Sequence, residues 1–483
     1  MSSNPVSTPA RLGLVTGATG YVGSALVGVL VEQGWRVRVL SRDASKVRQA
    51  PWGDRVVDGS ADVGQVEVVE GDASEPEDLR RALEGADVSW YLLHSMGDTD
   101  DFRAQERAMA QAFADAARDA EVSRLVYLGG LHPQGELSEH LASRVEVGKI
   151  LLASGVPTAV LQAGVVIGDE SQSFVMLRHL AERLPGAVGP SWLQNTIQPI
   201  AVDDVLHYLV AAADLAPEHS RTFDVAGPDV LSYAEMMGRY SRTVGLGPRL
   251  VLTAPVTTPR AAARWIGLVT PVPSALAEPL VGSLLHNTVA DEHDLADLVG
   301  EPAGGPTGFD EAVRRATREL DTRRWWRTIA GTAAAVTATA VIGSVATTPG
   351  AAWYRTLRKP AFQPPTWAFP VAWTALYADI AAIGALCLAD LAEQGREEER
   401  SRYLAALGAN LALNAGWSLL FFRGHRLVPA TVEAVALAAS SADLVRRSAA
   451  VSPEKGAVLA PYAAWTAFAS VLTAAIARRN LGG

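Results

Sequence analysis

Residues 12–43, LGLVTGATGYVGSALVGVLVEQGWRVRVLSRD, decide the reading of the first half of this chain. An apolar run, a glycine-rich turn, an amphipathic stretch and a second apolar run follow one another without a spacer. That order predicts strand, tight turn, helix and strand. Gly17, Gly20 and Gly23 fall in the spacing GxxGxxG between the first strand and the helix. Glycines there let the backbone approach a pyrophosphate, while the N-terminus of the following helix offers free N–H groups and the positive end of its dipole. Gly17, Thr19, Gly20, Tyr21, Val22 and Gly23 are the expected cofactor loop.

The second strand ends in Ser41 and Arg42. An acidic residue at that place would accept from the ribose 2′-hydroxyl of NAD(H). A serine beside an arginine suits a 2′-phosphate, because the guanidinium fork matches phosphate oxygens. NADP(H) is therefore expected over NAD(H), with Asp43 as the residue that argues the other way. The third strand, in VEVVEGDASEPEDL, places Asp72 and Ala73 at its C-terminal edge, where an adenine would lie.

TGATGYVG, the GDAS turn, PIAVDDV at 199–205 and FDVAGPD at 223–229 resemble the short-chain dehydrogenase/reductase superfamily in its atypical, NmrA-like branch. The resemblance spans roughly residues 10–320. It implies an α/β doubly wound Rossmann-like sheet with the cofactor across the carboxyl ends of the strands, and a smaller lobe, about 225–320, for a substrate. The superfamily's serine and Tyr-x-x-x-Lys do not carry over. Gly129 and Gly130 stand where the serine is expected, and Val145 stands four residues before Lys149, the residue that matches the lysine. His94, at the end of the fourth strand, is the other candidate acid or base near the nicotinamide, or else it only shapes the cofactor pocket. Glu146 reads as a solvated or structural charge.

The composition changes near residue 321. DTRRWWRT joins cations to indoles, a pattern suited to a membrane surface. Five apolar segments follow, at about 328–347, 368–390, 403–422, 427–445 and 457–477, each long enough to cross a bilayer. An all-α five-helix transmembrane bundle is expected for 321–483. The net charge of −10 argues against nucleic acid as a partner. Residues 1–10 are expected to be disordered and lack a charged segment followed by an apolar one, so the first domain is expected in the cytoplasm, tethered to the inner (cytoplasmic) membrane. The single cysteine, Cys387, lies in an apolar segment and reads as a small buried hydrophobe.

Between the first two spans runs LRKPAFQPPTWAFPVAW, residues 357–373. Pro360, Pro364 and Pro365 exclude helix and make a stiff lid. WYRTLRKPAFQPPTWAFPVAWTALY, LALNAGWSLLFF and APYAAWTAFA resemble the tryptophan-rich sensory protein/translocator (TspO) family, from about residue 325 onward. The resemblance implies a five-helix membrane protein that binds porphyrins, haem or sterols, with a homodimer possible. Position by position, its ligand pocket falls on Trp353, Tyr354, Pro365, Trp367, Trp373, Tyr377, Asn414, Trp417 and Trp465. No metal site is expected. Three readings stay open: a redox-linked sensor or handler of tetrapyrroles; an atypical reductase of an apolar, quinone- or isoprenoid-like substrate for which the bundle is only an anchor; and a transporter or assembly factor whose Rossmann-like domain binds nucleotide structurally.

Overall fold

The computed structural model describes residues 10–93, 102–133, 137–254 and 258–481. The expected disordered N-terminus and His94 lie outside the described residues. The chain divides into two compact units. One holds residues 10–263 and 275–320, the other residues 264–274 and 321–481.

The first unit begins with β1 (Leu12–Thr16), α1 (Tyr21–Glu32), β2 (Arg36–Ser41), α2 (Ala44–Arg48), β3 (Val56–Val57) and β4 (Val66–Glu70). It continues with α3 (Pro76–Leu83), β5 (Val88–Tyr91), α4 (Phe102–Asp119), β6 (Arg124–Gly130), α5 (Glu139–Leu152) and β7 (Thr158–Ala163). The later strands are β8 (Val166–Ile167), β9 (Gly186–Pro190), β10 (Thr196–Ile197), β11 (Ile200–Ala201), β12 (Arg221–Val225), β13 (Leu231–Ser232) and β14 (Leu250–Ala254). Eight of these form one parallel sheet in the order β12-β7-β6-β5-β1-β2-β4-β3, and the other six make three two-stranded pairs. The chain runs outward from β1 through β2 and β4, then returns to β5 beside β1 and runs outward the other way. The order therefore reverses between β1 and β5, where open α/β sheets hold ligands beyond the carboxyl ends of the strands.

β1 and β5 are buried along their whole length. Helices cover both faces, so their side chains are apolar or hydrogen-bonded rather than alternating with solvent. The alternation instead divides residues between two cores. Val15, Val37, Val39, Val88 and Trp90 pack on one face, and Leu14, Leu40, Tyr91, Leu125 and Tyr127 on the other. Trp90 is fully buried, donates from its indole to the Leu209 carbonyl at 2.8 Å, and meets Trp35 edge-on at 5.3 Å. Gly13 makes this possible, since a Cβ there would lie 2.6 Å from the Trp90 ring.

The second unit carries five helices long and apolar enough to cross a membrane: Arg324–Thr347, Ala368–Glu393, Glu397–Arg423, Leu427–Val451 and Pro453–Asn480. Each extends at one or both ends beyond the apolar segment read from sequence, because the charged ends continue the helices. The first helix runs on to Thr356 and stops where prolines 360, 364 and 365 follow. The third ends in a π-helical turn at Leu419–Arg423. Buried and half-buried polar side chains hold the middle of the bundle together. Tyr377 donates to Asn414 Oδ1 at 2.7 Å, and Tyr462 donates to Asn410 Oδ1 at 2.7 Å. Asn410 Nδ2 reaches Ser441 Oγ at 3.1 Å. With no water in a bilayer core, such groups must satisfy one another, and a satisfied network fixes which helix faces meet.

Candidate functional site

In the first unit, the glycine loop sits at the β1/β5 switch point. Gly17 has φ +71°, and a Cβ on it would lie 2.6 Å from the Leu92 carbonyl oxygen. Only glycine adopts that conformation in that space at low cost. The Gly20 N–H donates to Gly17 O at 2.9 Å, closing the turn. Gly20 is the N-cap of α1 and provides no side chain, so the N–H groups of the first helical turn stay open. Gly23 lets the loop fold onto the helix, since its Cβ would crowd the Gly17 carbonyl and lie 3.2 Å from Ala18 Cα. Thr19 and Gly20 are exposed, and Val22 is half-buried. The Tyr21 phenol turns elsewhere, donating to Asp169 at 2.9 Å; burial, then that carboxylate, raises its pKa.

Arg42 is exposed at the end of β2 and makes no hydrogen bond or ion pair among the described residues. Asp43 is committed locally: its carboxylate accepts from Ser45 N at 2.9 Å and from Ser45 Oγ at 2.6 Å, capping α2. Those bonds hold its pKa below the usual carboxylate range. Ser41 Oγ meets the Asp43 backbone. At the end of β4, Asp72 accepts from Ser74 N and Oγ, both at 2.9 Å, which lowers its pKa with a further contribution from Arg42. Ala73 packs partly buried against the core.

A cavity of about 300 Å³ opens beside the end of β6, lined by Gly129, Gly130, His132, Arg144, Lys149 and Gln162 among others. Lys149 is exposed and lies ten residues into α5, about 15 Å along it. Arg144 sits closer to the strand end. It donates to the Leu128 carbonyl at 2.6 Å, while its Nε is buried with no hydrogen-bond partner among the described residues. His132 is the residue the sequence reading passed over, two positions beyond the strand that ends at Gly130. Asp224 on β12 lies within electrostatic reach of it; burial raises that carboxyl and the histidine opposes the shift. Val145 also lines the cavity. Glu146 is a structural charge, paired with Arg107 at 2.5 Å.

The pocket residues expected in the second unit gather into aromatic walls. Trp353 stacks on His425 at 4.2 Å and meets Phe421 at 5.5 Å, and Trp417 stacks on Phe421 at 5.2 Å. Tyr354 meets Phe422 at 5.7 Å and hydrogen-bonds Gln363 at 3.2 Å. Trp373 lies 5.4 Å from Tyr377, which holds Asn414. Trp465 packs between Phe369 and Phe468. The indole N–H groups of Trp417 and Trp465 are buried without a hydrogen-bond partner among the described residues. Trp367, the N-cap of the second span, is 68% exposed and Pro365 is exposed, and neither joins the ring contacts of these walls among the described residues. Phe421, Phe422 and His425 were not anticipated. His425 adopts φ +52° in the turn after the third span, and that turn brings its ring onto Trp353.

Comparison with known proteins bears on both units. A model of the TspO/MBR family matches residues 331–479, and a model described as NAD(P)H-binding matches residues 17–163. The chain is 34% identical over 134 residues to protein CrtK of Rhodobacter capsulatus, covering 28% of this chain and 81% of that protein. It is 29% identical over 245 residues to a ceramide reductase of Caulobacter vibrioides, covering 49% of this chain and 72% of that protein. The solved triphenylmethane reductase of Citrobacter sp. superposes with a TM-score of 0.50 at 16% identity, covering 64% of this chain and 99% of that one, a likeness of fold alone. With an NAD(P)H-binding Rossmann-like domain ahead of five membrane-spanning helices, this chain belongs to the TspO/MBR family.

Proposed function

We propose that the protein binds NADP(H) in its N-terminal domain and a flat apolar ligand of tetrapyrrole type in its bundle, as a redox-linked sensor or handler of that ligand. The observation that carries the reading is the pair of buried indole N–H groups, on Trp417 and Trp465, that have no hydrogen-bond partner among the described residues and are set among aromatic rings. Buried donors are ordinarily paired, and a tetrapyrrole offers both a ring face to stack and carboxylates to accept. Replacing either tryptophan by phenylalanine keeps the ring and removes the donor. Each variant is expected to bind protoporphyrin about tenfold more weakly, the effect of one hydrogen bond to a charged group, in a fluorescence titration. Unchanged affinity in both would remove the bundle from the account.

NADP(H) is favoured by Arg42, which makes no hydrogen bond or ion pair among the described residues, and by Asp43, whose carboxylate is engaged in capping α2. Arg42→Ala is expected to weaken NADPH binding about tenfold or more and to leave NADH binding within a factor of about two; equal losses for both cofactors would contradict the assignment. We place the N-terminal domain on the cytoplasmic side of the cytoplasmic membrane.

The likeness to a ceramide reductase supports a second reading, a membrane-tethered reductase of a lipid-like carbonyl compound. In that case His132, flanked by Arg144 and Asp224, is the residue placed to hold the proton for the reduced oxygen. NADPH oxidation driven by such a lipid, in a protein that does not bind protoporphyrin, would favour this reading over the first.

A further inference from the structure

One concavity of the second unit is lined by none of the residues of its aromatic walls. It is an open groove of about 510 Å³ along the first, second and third spans. Its floor is apolar and low, formed by Gly331, Ala335, Leu404, Leu407, Gly408 and Leu411. A Cβ placed on Gly331 or Gly408 would meet nothing within 4 Å, so both glycines face open space rather than a neighbouring helix. Deep in the groove the Thr332 hydroxyl donates to the Ala381 carbonyl of the neighbouring span at 3.1 Å. From Arg400 at its mouth to Leu411 the groove extends eleven residues along the third span, about 16 Å.

The mouth is charged. Arg324, Arg327 and Arg400 lie there with Asp321 and Glu397. Arg324 is held by Glu393 at 3.1 Å, Arg327 by Asp321, and Arg400 by Glu397 at 2.9 Å. Each guanidinium has five donors, so one carboxylate leaves several unused. The Arg400 Nε is buried and makes no hydrogen bond among the described residues. A planar donor edge beside an apolar groove suits a phosphodiester joined to a hydrocarbon chain.

We propose that this groove holds one membrane phospholipid, with its phosphodiester at Arg400 and Arg327 and one acyl chain laid over Gly408 and Gly331. A second copy of the chain is the weaker occupant, because it would bury the Arg–carboxylate pairs of the mouth, and desolvating such pairs is costly. The proposal is independent of what the aromatic walls bind.

The test is native mass spectrometry of the full chain released from nanodiscs containing phosphatidylglycerol and phosphatidylcholine. The wild-type chain is expected to retain one phospholipid. Gly408→Leu and Gly331→Leu fill the floor, and each is expected to cut retention about tenfold, equivalent to losing about two buried methylenes. Leucine favours helix over glycine, so both variants should keep the wild-type circular dichroism. Arg400→Gln, which leaves the floor intact, is expected to lower retention as well. Unchanged retention in Gly408→Leu would overturn the proposal. So would a change of subunit number in that variant with lipid retention unaltered, which would show that the floor packs a second copy.

Discussion

Gly17→Val is expected to abolish NADPH binding, with a loss of affinity of about a hundredfold or more. Two independent effects act at this position. The backbone stands at φ +71°, a conformation that costs a β-branched residue about 1–3 kcal/mol. The new Cβ would also lie 2.6 Å from the Leu92 carbonyl oxygen, a backbone atom that cannot swing aside. The loop must therefore move, and it carries the open N–H groups of the α1 N-terminus with it. Losing two charge-assisted hydrogen bonds to a pyrophosphate, at about 1.5–3 kcal/mol each, accounts for the loss. Calorimetric titration with NADPH measures it directly. Wild-type affinity in this variant would mean that the cofactor does not use the loop.

The largest effect on stability is expected at Lys455. Its ammonium lies 2.6 Å from Asp390 Oδ2, both side chains are 1% exposed, and Lys455 also approaches the carbonyl oxygens of Gly267 and Thr270 at 3.4 Å. Those two carbonyls belong to the 264–274 segment that is grouped with the bundle, so the ammonium also satisfies the end of the Pro259–Val269 helix. Lys455→Met leaves a buried carboxylate without its cation and is expected to destabilise the protein by about 3–5 kcal/mol. The double variant Lys455→Met, Asp390→Leu is expected to recover most of that loss, because the pair goes together. Thermal unfolding in detergent compares the three proteins. A double variant as unstable as the single one would show that the ion pair is not the cause.

The parts of the fold that were readable from sequence are those governed by local rules. The glycine spacing needs a positive φ at Gly17 and a close approach at Gly23, and both are present. The five spans were visible because a bilayer demands length and apolarity together. What escaped was set by tertiary contact. His132 lies just past a strand whose end was read at the preceding leucine, and nothing local joins it to Gln162 or Asp224, which the sheet brings alongside. Lys149 was chosen by spacing from an absent tyrosine, whereas Arg144 lies nearer the strand end. Lys455 and Asp390 sat at or beyond the edges of the apolar segments, so they did not register as intramembrane charges; the helices extend far enough to bury both. The exposed Trp367 shows the converse: a family position predicts the residue type but not its burial.

Titration of the protein in nanodiscs with protoporphyrin, followed by tryptophan quenching with and without saturating NADPH, tests whether the two domains act together. If the nicotinamide site and the bundle act as one redox-linked device, NADPH shifts the protoporphyrin affinity about five- to tenfold, and protoporphyrin shifts NADPH affinity by the same factor, since binding coupling is reciprocal. Saturable binding at both sites with no shift in either direction would contradict it, leaving two independent activities on one chain.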